Sequence, residues 1–157
     1  MLTLDEGEIA MLARLRRNAR ESLSSISRAT GIPVTTLFYK HRNLETCLIS
    51  KYTSIIDFIA AGHSVRIWLV ARASQKKSSA FESLLRAHKN VNNAYRVAGE
   101  NGLNGNEYLA EGVFKDYGEA QEFTEKIQEA GARLLLFTVV SEDLKKEGFL
   151  TKAAHFY

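Results

Sequence analysis

The sequence predicts an α+β protein, in which an N-terminal tri-helical helix-turn-helix head precedes a C-terminal ferredoxin-like βαββαβ domain. Residues 22–44 (SLSSISRATGIPVTTLFYKHRNL) have the spacing of two short helices joined at a glycine. From Ser64 onward, apolar residues alternate between a two-residue period and a helical period, in the order strand, helix, strand, strand, helix, strand. We place the head at residues 1–48, a linker strand at 49–62 and the second domain at 63–157.

The first helix of the head is predicted to begin after Thr3. The Thr3 hydroxyl can cap the helix while the Glu6 side chain reaches back from three residues later. Apolar residues at near-helical spacing follow, and they would cover the helix pair and complete a three-helix unit. They are Ile9, Leu12, Ala13 and Leu15.

The helix pair has a physical reason at each of its central positions. Small Ser27 lets the two helices cross closely, and Gly31 can take the left-handed conformation that ends one helix and redirects the chain. Pro33 suits the first turn of the next helix, because its missing N–H would have no partner there. The apolar seam is predicted to contain Ile26, Ile32 and Leu37.

The second helix of the pair should turn Leu37 and Leu44 inward and expose polar and aromatic side chains. In a helix-turn-helix, the N-terminal part of this helix enters the major groove, where hydroxyls and an arginine can meet base edges and phosphates. The predicted DNA-binding residues are Ser24, Ser25, Thr35, Thr36, Phe38, Tyr39, Lys40 and Arg42.

The distribution of charge favours the same function. Between Ile9 and Lys51, eight basic residues stand against two acidic ones, whereas the whole chain has a net charge of only +3. Positive charge concentrated around one motif is typical of phosphate binding. A solvated helix face is the plainer alternative.

Composition sets the outer limits. A chain of 157 residues, 45% hydrophobic and 25% charged, fits one domain of typical size or two small ones. No run approaches the roughly 18 apolar residues of a membrane span, and residues 1–20 lack the apolar segment of a signal peptide, so we expect a cytoplasmic protein. The single cysteine, Cys47, excludes an intramolecular disulfide, and we expect it to be a small apolar residue at the end of the head.

The second domain begins with a strand at Val65 whose side chains alternate between an apolar and a mixed face. Ser79 and Glu82 are spaced as the capping box of a helix. Two strands follow at 91–98 and 108–114. The inner stripe of the helix is predicted to be Phe81, Leu84, Leu85 and His88.

A second helix should begin after Asp116, with Glu119 three residues on, and end at Gly131 before a strand at 133–140. In the resulting βαββαβ arrangement, two helices cover one face of a four-stranded antiparallel sheet. The other face needs a partner, and a second subunit would bring two heads together. The inward residues of this helix are predicted to be Ala120, Phe123, Ile127 and Ala130.

In this order of elements, and over nearly its whole length, the chain resembles the Lrp/AsnC, or feast/famine, family of transcription regulators. The resemblance lies in DEGEIAMLARLRRNAR, in RNLE at the end of the head, in the linker strand and in VRIWLVARA. It implies a DNA-binding dimer, often assembled into larger rings, and a tail that can sense amino acids or another small effector at subunit interfaces. It implies no enzyme activity, cofactor or metal. It places the effector site at Gly99, Asn101, Glu107 and Tyr108.

The chain departs from the family pattern in two places. Phe38, Tyr39 and His41 stand where family members more often have charged or aliphatic residues, so base preference does not transfer. The loop at 99–106 is longer than the short glycine-aspartate turn usual in the family, and Glu107 stands near the expected aspartate.

Two alternatives remain open. Siroheme decarboxylases share this layout and use histidines in the corresponding loop, but residues 92–112 contain none, and only Tyr95 and Arg96 remain there as anion contacts. The other alternative is an architectural protein that coats DNA without sequence choice. The histidines of the chain, which have no ligand-like spacing, are His41, His63, His88 and His155.

Overall fold

A computed structural model describes residues 3–97 and 106–144 of the chain. They form two compact units, and the division along the chain falls between Ser54 and Ile55. Three helices come first, followed by strands and helices in the order βαββαβ, so the predicted α+β class is confirmed.

The head is a three-helix unit built around one small apolar core. Its helices are α1 (Glu6–Arg17), α2 (Leu23–Thr30) and α3 (Val34–Cys47). Each helix contacts the other two, because each contributes apolar side chains to the same cluster. The buried members of this cluster are Met11, Leu12, Leu15, Ile26, Leu37 and Leu44.

The cap of α1 differs from the prediction. Asp5 is the N-cap: its carboxylate accepts from the Glu8 N–H at 2.9 Å, and the Glu8 carboxylate accepts from the Asp5 N–H at 3.0 Å. The predicted cap at Thr3 and Glu6 is therefore wrong. Both pairs have the required spacing, but only Asp5 brings an ionised group to the positive helix end and also pairs with Lys40 of α3.

The linker strand predicted at 49–62 does not form within this chain. Residues 49–57 belong to neither a helix nor a strand, and a turn follows at 58–62 with Gly62 at φ 82°. A strand exists only where a neighbouring backbone completes its hydrogen bonds. Here the exposed Ile55, Ile56 and Ile59 have strand-like composition without such a neighbour in the described part of the chain.

The second unit is the predicted ferredoxin-like domain. Its four strands pair antiparallel in the order β2-β3-β1-β4, which is the βαββαβ topology expected from the sequence. The elements are β1 (Val65–Ala73), α4 (Ser78–Ala87), β2 (Val91–Val97), β3 (Glu107–Phe114), α5 (Tyr117–Glu129) and β4 (Ala132–Val139).

The two helices cover one face of this sheet. Side chains alternate along β1 as the sequence predicts, so that Ile67 and Leu69 are fully buried beneath the helices. Phe81 of α4 and Phe123 of α5 close the core from above. The opposite face of the sheet, which we call the open face, has no covering element among the described residues of this unit. Its apolar members include Trp68, Val70, Tyr95, Leu109 and Leu136.

Of the two helix caps predicted for this domain, one is confirmed and the other is wrong. Asp116 caps α5 as predicted, accepting from the Glu119 N–H at 2.9 Å, and Gly131 follows with φ 78°. The predicted box at Ser79 and Glu82 is wrong, since α4 already begins at Ser78 and has no side-chain hydrogen bond at its N-cap. The Glu82 carboxylate is instead bound by two side chains from the sheet.

Candidate nucleic-acid interface

The turn between α2 and α3 is built as the sequence predicts. Gly31 has φ 75°, a left-handed conformation, and its N–H donates to the Ser27 carbonyl at 2.8 Å. No described atom lies within 4 Å of a Cβ built at Gly31, so the backbone conformation and not lack of space favours glycine there. Ser22 caps the preceding helix by accepting from the Ser25 N–H at 3.2 Å.

The start of α3 leaves backbone donors open. Pro33 lies at the N-cap, one residue before the position in the first turn that the sequence predicted. No described side chain caps the helix there, and its first turn has no acidic residue. The N–H groups of that turn therefore keep the partial positive charge that suits a phosphate oxygen.

The outward side of α3 presents the predicted polar and aromatic residues. Leu37 and Leu44 are fully buried and fix the rotation of the helix about its axis. Phe38 is 52% exposed and Tyr39 is 70% exposed, with their rings edge-to-face at a centroid distance of 5.7 Å. We call the exposed set the recognition face; it consists of Thr35, Thr36, Phe38, Tyr39 and Arg42.

Two of the predicted contact residues are already engaged in the free head. Lys40 is half-buried and its ammonium forms an ion pair with Asp5, and this hydrogen bond holds the pKa of the Asp5 carboxyl below its usual value. The Ser25 hydroxyl donates to Glu21 at 2.9 Å. Ser24, by contrast, is exposed on α2.

Glu21 also anchors an arginine of α1. The Arg14 Nε donates to both Glu21 carboxylate oxygens, at 2.8 and 3.0 Å, and the Arg14 hydrogen bonds lower the pKa of Glu21. This bidentate pair ties the end of α1 to the start of α2. Arg14 is therefore a structural residue as well as part of the basic excess.

One exposed basic residue of the head lies outside the predicted set of DNA contacts. Arg28 is exposed and forms no ion pair with the described residues. It lies four residues after Ser24, so the two side chains share one side of α2. This spacing was visible in the sequence, and it places a cation beside the predicted Ser24 contact.

The predicted effector residues are separated by the sheet. Glu107 and Tyr108 are consecutive in β3, so their side chains point to opposite faces. Glu107 accepts from the Arg72 Nε at 2.8 Å, whereas Tyr108 is 2% exposed and its hydroxyl donates to Glu82 at 2.8 Å. Gly99 and Asn101 lie outside the described residues.

Tyr95 and Arg96 are also consecutive in one strand, β2, so their side chains point to opposite faces of the sheet. Tyr95 is 52% exposed on the open face, while Arg96 lies on the helix side and forms an ion pair with Glu82. A cleft of about 340 Å³ between α4 and the edge of the sheet is lined by Arg96, Glu82 and Tyr108 among others. Tyr95 also lines this cleft, although its ring is largely exposed to solvent.

The described histidines do not converge on a common site. His41 bonds to the Tyr52 hydroxyl at 2.8 Å, and the His63 Nδ1 lies 3.0 Å from the Ala61 carbonyl. His88 packs on Phe123, and burial lowers its pKa. No three metal-binding side chains cluster within residues 3–97 and 106–144, and His155 lies outside those ranges. Within the same ranges, no helix is long and apolar enough to cross a bilayer.

Similar proteins in sequence are regulators of the helix-turn-helix type. The HTH-type transcriptional regulator FL11 of Pyrococcus horikoshii is 29% identical over 98 residues, which are 62% of this chain and 65% of FL11, just under two thirds of its length. An uncharacterized HTH-type transcriptional regulator of Pyrococcus furiosus is 24% identical over 94% of this chain and 97% of its own length. No protein-family model matches the chain.

Solved structures of similar shape include proteins of the Lrp and AsnC type. LrpC of B. subtilis has a TM-score of 0.81 at 19% identity, covering 92% of this chain and 99% of its own. AsnC of E. coli has a TM-score of 0.79 at 15% identity, covering 95% and 99%. A transcriptional regulator of Neisseria meningitidis in complex with L-Met has a TM-score of 0.78 at 16% identity, covering 92% and 94%. These likenesses confirm the predicted resemblance at the level of the fold.

Proposed function

We propose that the protein is a DNA-binding transcription regulator that contacts duplex DNA through the recognition face of α3. The observation that supports this most directly is the placement of Arg42, which is exposed on the same side of α3 as Thr35 and forms no ion pair with the described residues. Leu37 and Leu44 are fully buried, so packing fixes which side of the helix faces solvent before DNA binds. The related regulators from Pyrococcus support the same function.

The proposed mechanism divides the contacts into two kinds. α3 lies in the major groove, where Thr35, Thr36 and Arg42 meet base edges. The open N–H groups at the start of α3, together with Arg28 of α2, hold phosphates. Phosphate contacts fix the register, and base contacts choose the sequence.

Sequence choice separates a regulator from an architectural protein. Genomic fragments bound by the protein are selected at moderate salt, and the enriched duplex is then competed against random duplex. A specific regulator should prefer its site by roughly a thousandfold or more. If no fragment is enriched while random DNA still binds with a steep salt dependence, the architectural function replaces the specific one.

We propose a homodimer formed through the open face of the sheet. A cluster of polar side chains lies beside the apolar residues of this face. In this cluster, the buried Glu111 carboxylate accepts from the side-chain amides of Asn92 and Asn93, each at 2.6 Å. The Arg66 Nε is buried there, 3.7 Å from the Glu111 carboxylate and without a hydrogen bond to the described residues. A second copy would cover the apolar residues and can supply the missing acceptor.

Sedimentation analysis tests this dimer. Leu136 is 53% exposed in β4, so Leu136→Asp should yield monomers at concentrations where the parent protein is a dimer. Tyr117→Asp is the matched control, because Tyr117 is 65% exposed on α5, at the helix-covered side. Dimers of unchanged stability in the Leu136 variant would refute the proposed interface, and larger assemblies would appear in the same experiment.

An amino-acid or similar small effector is proposed at the end of the sheet that carries Glu107. The L-Met complex of the Neisseria regulator shows that a protein of this fold can hold an amino acid. Glu107 is the less buried member of the predicted pair, with its side chain 15% exposed and paired with Arg72, whereas Tyr108 lies in the core. Thermal-shift titration with each common amino acid should find a ligand whose effect is lost in Glu107→Gln; no shift with any of them would refute an amino-acid effector.

We infer a binding protein without catalytic activity, which acts in the cytoplasm, where its DNA partner would lie. The regulator relatives and the scattered positions of His41, His63 and His88 support this inference. A visible-absorbance titration with a tetrapyrrole tests the decarboxylase alternative. A saturable spectral change followed by carbon dioxide release would refute the inference.

A further inference from the structure

The recognition face has an unusual apolar component for a surface that meets a polyanion. Phe38 is 52% exposed and Tyr39 is 70% exposed, and neither belongs to the buried cluster of the head. Folding of the head therefore does not explain these rings. A ligand that covers them would gain the free energy of removing aromatic surface from water.

The orientation of α3 determines what the rings can contact. Residues 35, 38, 39 and 42 follow one another at three- and four-residue spacing, opposite the buried Leu37 and Leu44. Phe38 thus lies between the turn that contains Thr35 and the turn that contains Arg42. If α3 occupies the major groove, Phe38 faces base edges, and the edge-to-face contact with Tyr39 restricts the position of its ring.

The major groove offers one apolar group to such a ring. Adenine, guanine and cytosine present donors and acceptors there, whereas thymine also presents its C5-methyl group. An exposed phenylalanine has no hydrogen-bonding capacity with which to distinguish the other bases. Two exposed cations of the same head, Arg28 and Arg42, form no ion pair with the described residues and suit a polyanionic partner.

We propose that Phe38 contacts the C5-methyl group of a thymine in the major groove, so that each half-site bound by the head requires a thymine beneath this ring. The inference rests on the proposed DNA-binding function and adds the base that the aromatic pair selects. Tyr39 is a positioning residue, since its ring packs against Phe38. Arg42, one turn further along α3, contacts the neighbouring base pair or its phosphate.

Replacement of thymine by deoxyuridine tests the contact, because it removes the methyl group and leaves base pairing intact. A random-sequence duplex library is first selected with the full-length protein. The enriched duplex is then synthesised with deoxyuridine at one thymine position at a time. At one position in each half-site, this replacement should weaken binding about four-fold, the ratio expected for one buried methyl group.

Variants of the protein assign the effect to one side chain. In Phe38→Ala the affinity ratio between thymine and deoxyuridine duplexes should fall close to one, whereas Phe38→Leu should keep most of it because an apolar side chain remains. Since Phe38 is exposed, both variants should fold, and their thermal unfolding is compared with that of the parent protein. An exposed aromatic outside the head, Tyr117, provides the control Tyr117→Ala.

The results of these binding experiments distinguish failure of the thymine contact from failure of the proposed DNA-binding function. Equal affinity of the parent protein for thymine and deoxyuridine duplexes at every position overturns the inference and leaves DNA binding intact. Equal weakening of both duplexes by Phe38→Ala also overturns it, because the ring would then act by packing or stacking. If neither random nor selected duplex binds, the proposed function itself fails.

Discussion

Replacement of Arg42 by alanine is the most direct test of the recognition face. Arg42 is exposed and lies opposite the buried Leu37, so its loss should change the free energy of unfolding by no more than about 0.5 kcal/mol. If its guanidinium contacts a base, specific binding should weaken by about 1 to 3 kcal/mol, which is roughly five- to 150-fold. If it contacts only a phosphate, the loss should be smaller and similar for all sequences.

The dependence of binding on salt distinguishes these two contacts. Loss of one phosphate contact should reduce the slope of log K against log salt by about 0.9. Fluorescence anisotropy with the selected duplex and with a scrambled duplex, over a series of salt concentrations, measures both quantities. A base contact changes the ratio between the two duplexes, whereas a phosphate contact changes the slope.

A charge-matched variant controls for the general loss of positive charge. Arg86 is exposed on α4 in the other unit and is not part of the recognition face, so Arg86→Ala removes the same charge without changing that face. We expect it to bind DNA nearly as well as the parent protein. A folded Arg42→Ala variant with unchanged affinity and slope would refute the placement of α3, as would equal losses in both variants.

Three further substitutions test the structure that supports the site. Leu37→Ala should lower the free energy of unfolding of the head by about 2 to 5 kcal/mol in denaturant titrations, because Leu37 is fully buried, and a loss below about 1 kcal/mol would contradict this packing. The Arg14 hydrogen bonds lower the pKa of Glu21 in the folded head, so their stabilising contribution is present above the ordinary pKa of 4.5 and is lost as pH falls through the lowered pKa. Glu21→Gln should therefore flatten the dependence of stability on acid pH. An unchanged dependence of stability on pH would refute this role of Glu21. Gly112→Val should lower the free energy of unfolding by about 1 to 3 kcal/mol, since a Cβ there would lie 2.4 Å from the Phe114 Cε2. An unchanged free energy of unfolding would show that the Phe114 ring can move aside freely.

The head could be predicted from the sequence because its determinants are local. The spacing of Leu37 and Leu44 fixes which side of α3 is buried, and both side chains are fully inaccessible. Gly31 adopts the left-handed conformation that its position between two helical patterns demands. Neither feature depends on a distant residue, so pattern and propensity agree with the fold.

Helix caps were harder to predict because several residues satisfy the same spacing rule. Thr3 with Glu6 and Asp5 with Glu8 are equivalent in sequence, and the contact of Asp5 with Lys40 in another helix distinguishes them. Glu82 failed as a cap for a related reason: side chains from the sheet, distant in sequence, bind its carboxylate. Local rules identify a candidate acceptor, and tertiary contacts decide which donor it meets.

The linker at 49–62 shows that strand formation also depends on contacts beyond the local sequence. Ile55, Ile56 and Ile59 have the composition of a strand, yet residues 49–62 form none in the single chain. Strand propensity describes how side chains fit a sheet that already exists. A strand also needs a neighbouring backbone that completes its hydrogen bonds. Composition alone therefore does not decide whether such a segment forms a strand.

Counting basic residues overstates the charge that the free head offers to DNA. Arg14 and Lys40 belong to the basic excess, but Glu21 and Asp5 neutralise them. The two pairs are not equivalent: Arg14 binds Glu21 with several hydrogen bonds, whereas the carboxylate that holds Lys40 is 57% exposed. An ion pair so open to water is worth about 0 to 1 kcal/mol, so a phosphate can take Lys40 from Asp5 at little cost. Lys40 should therefore contribute to the salt dependence of DNA binding, while Arg14 stays with Glu21 and holds α1 against α2.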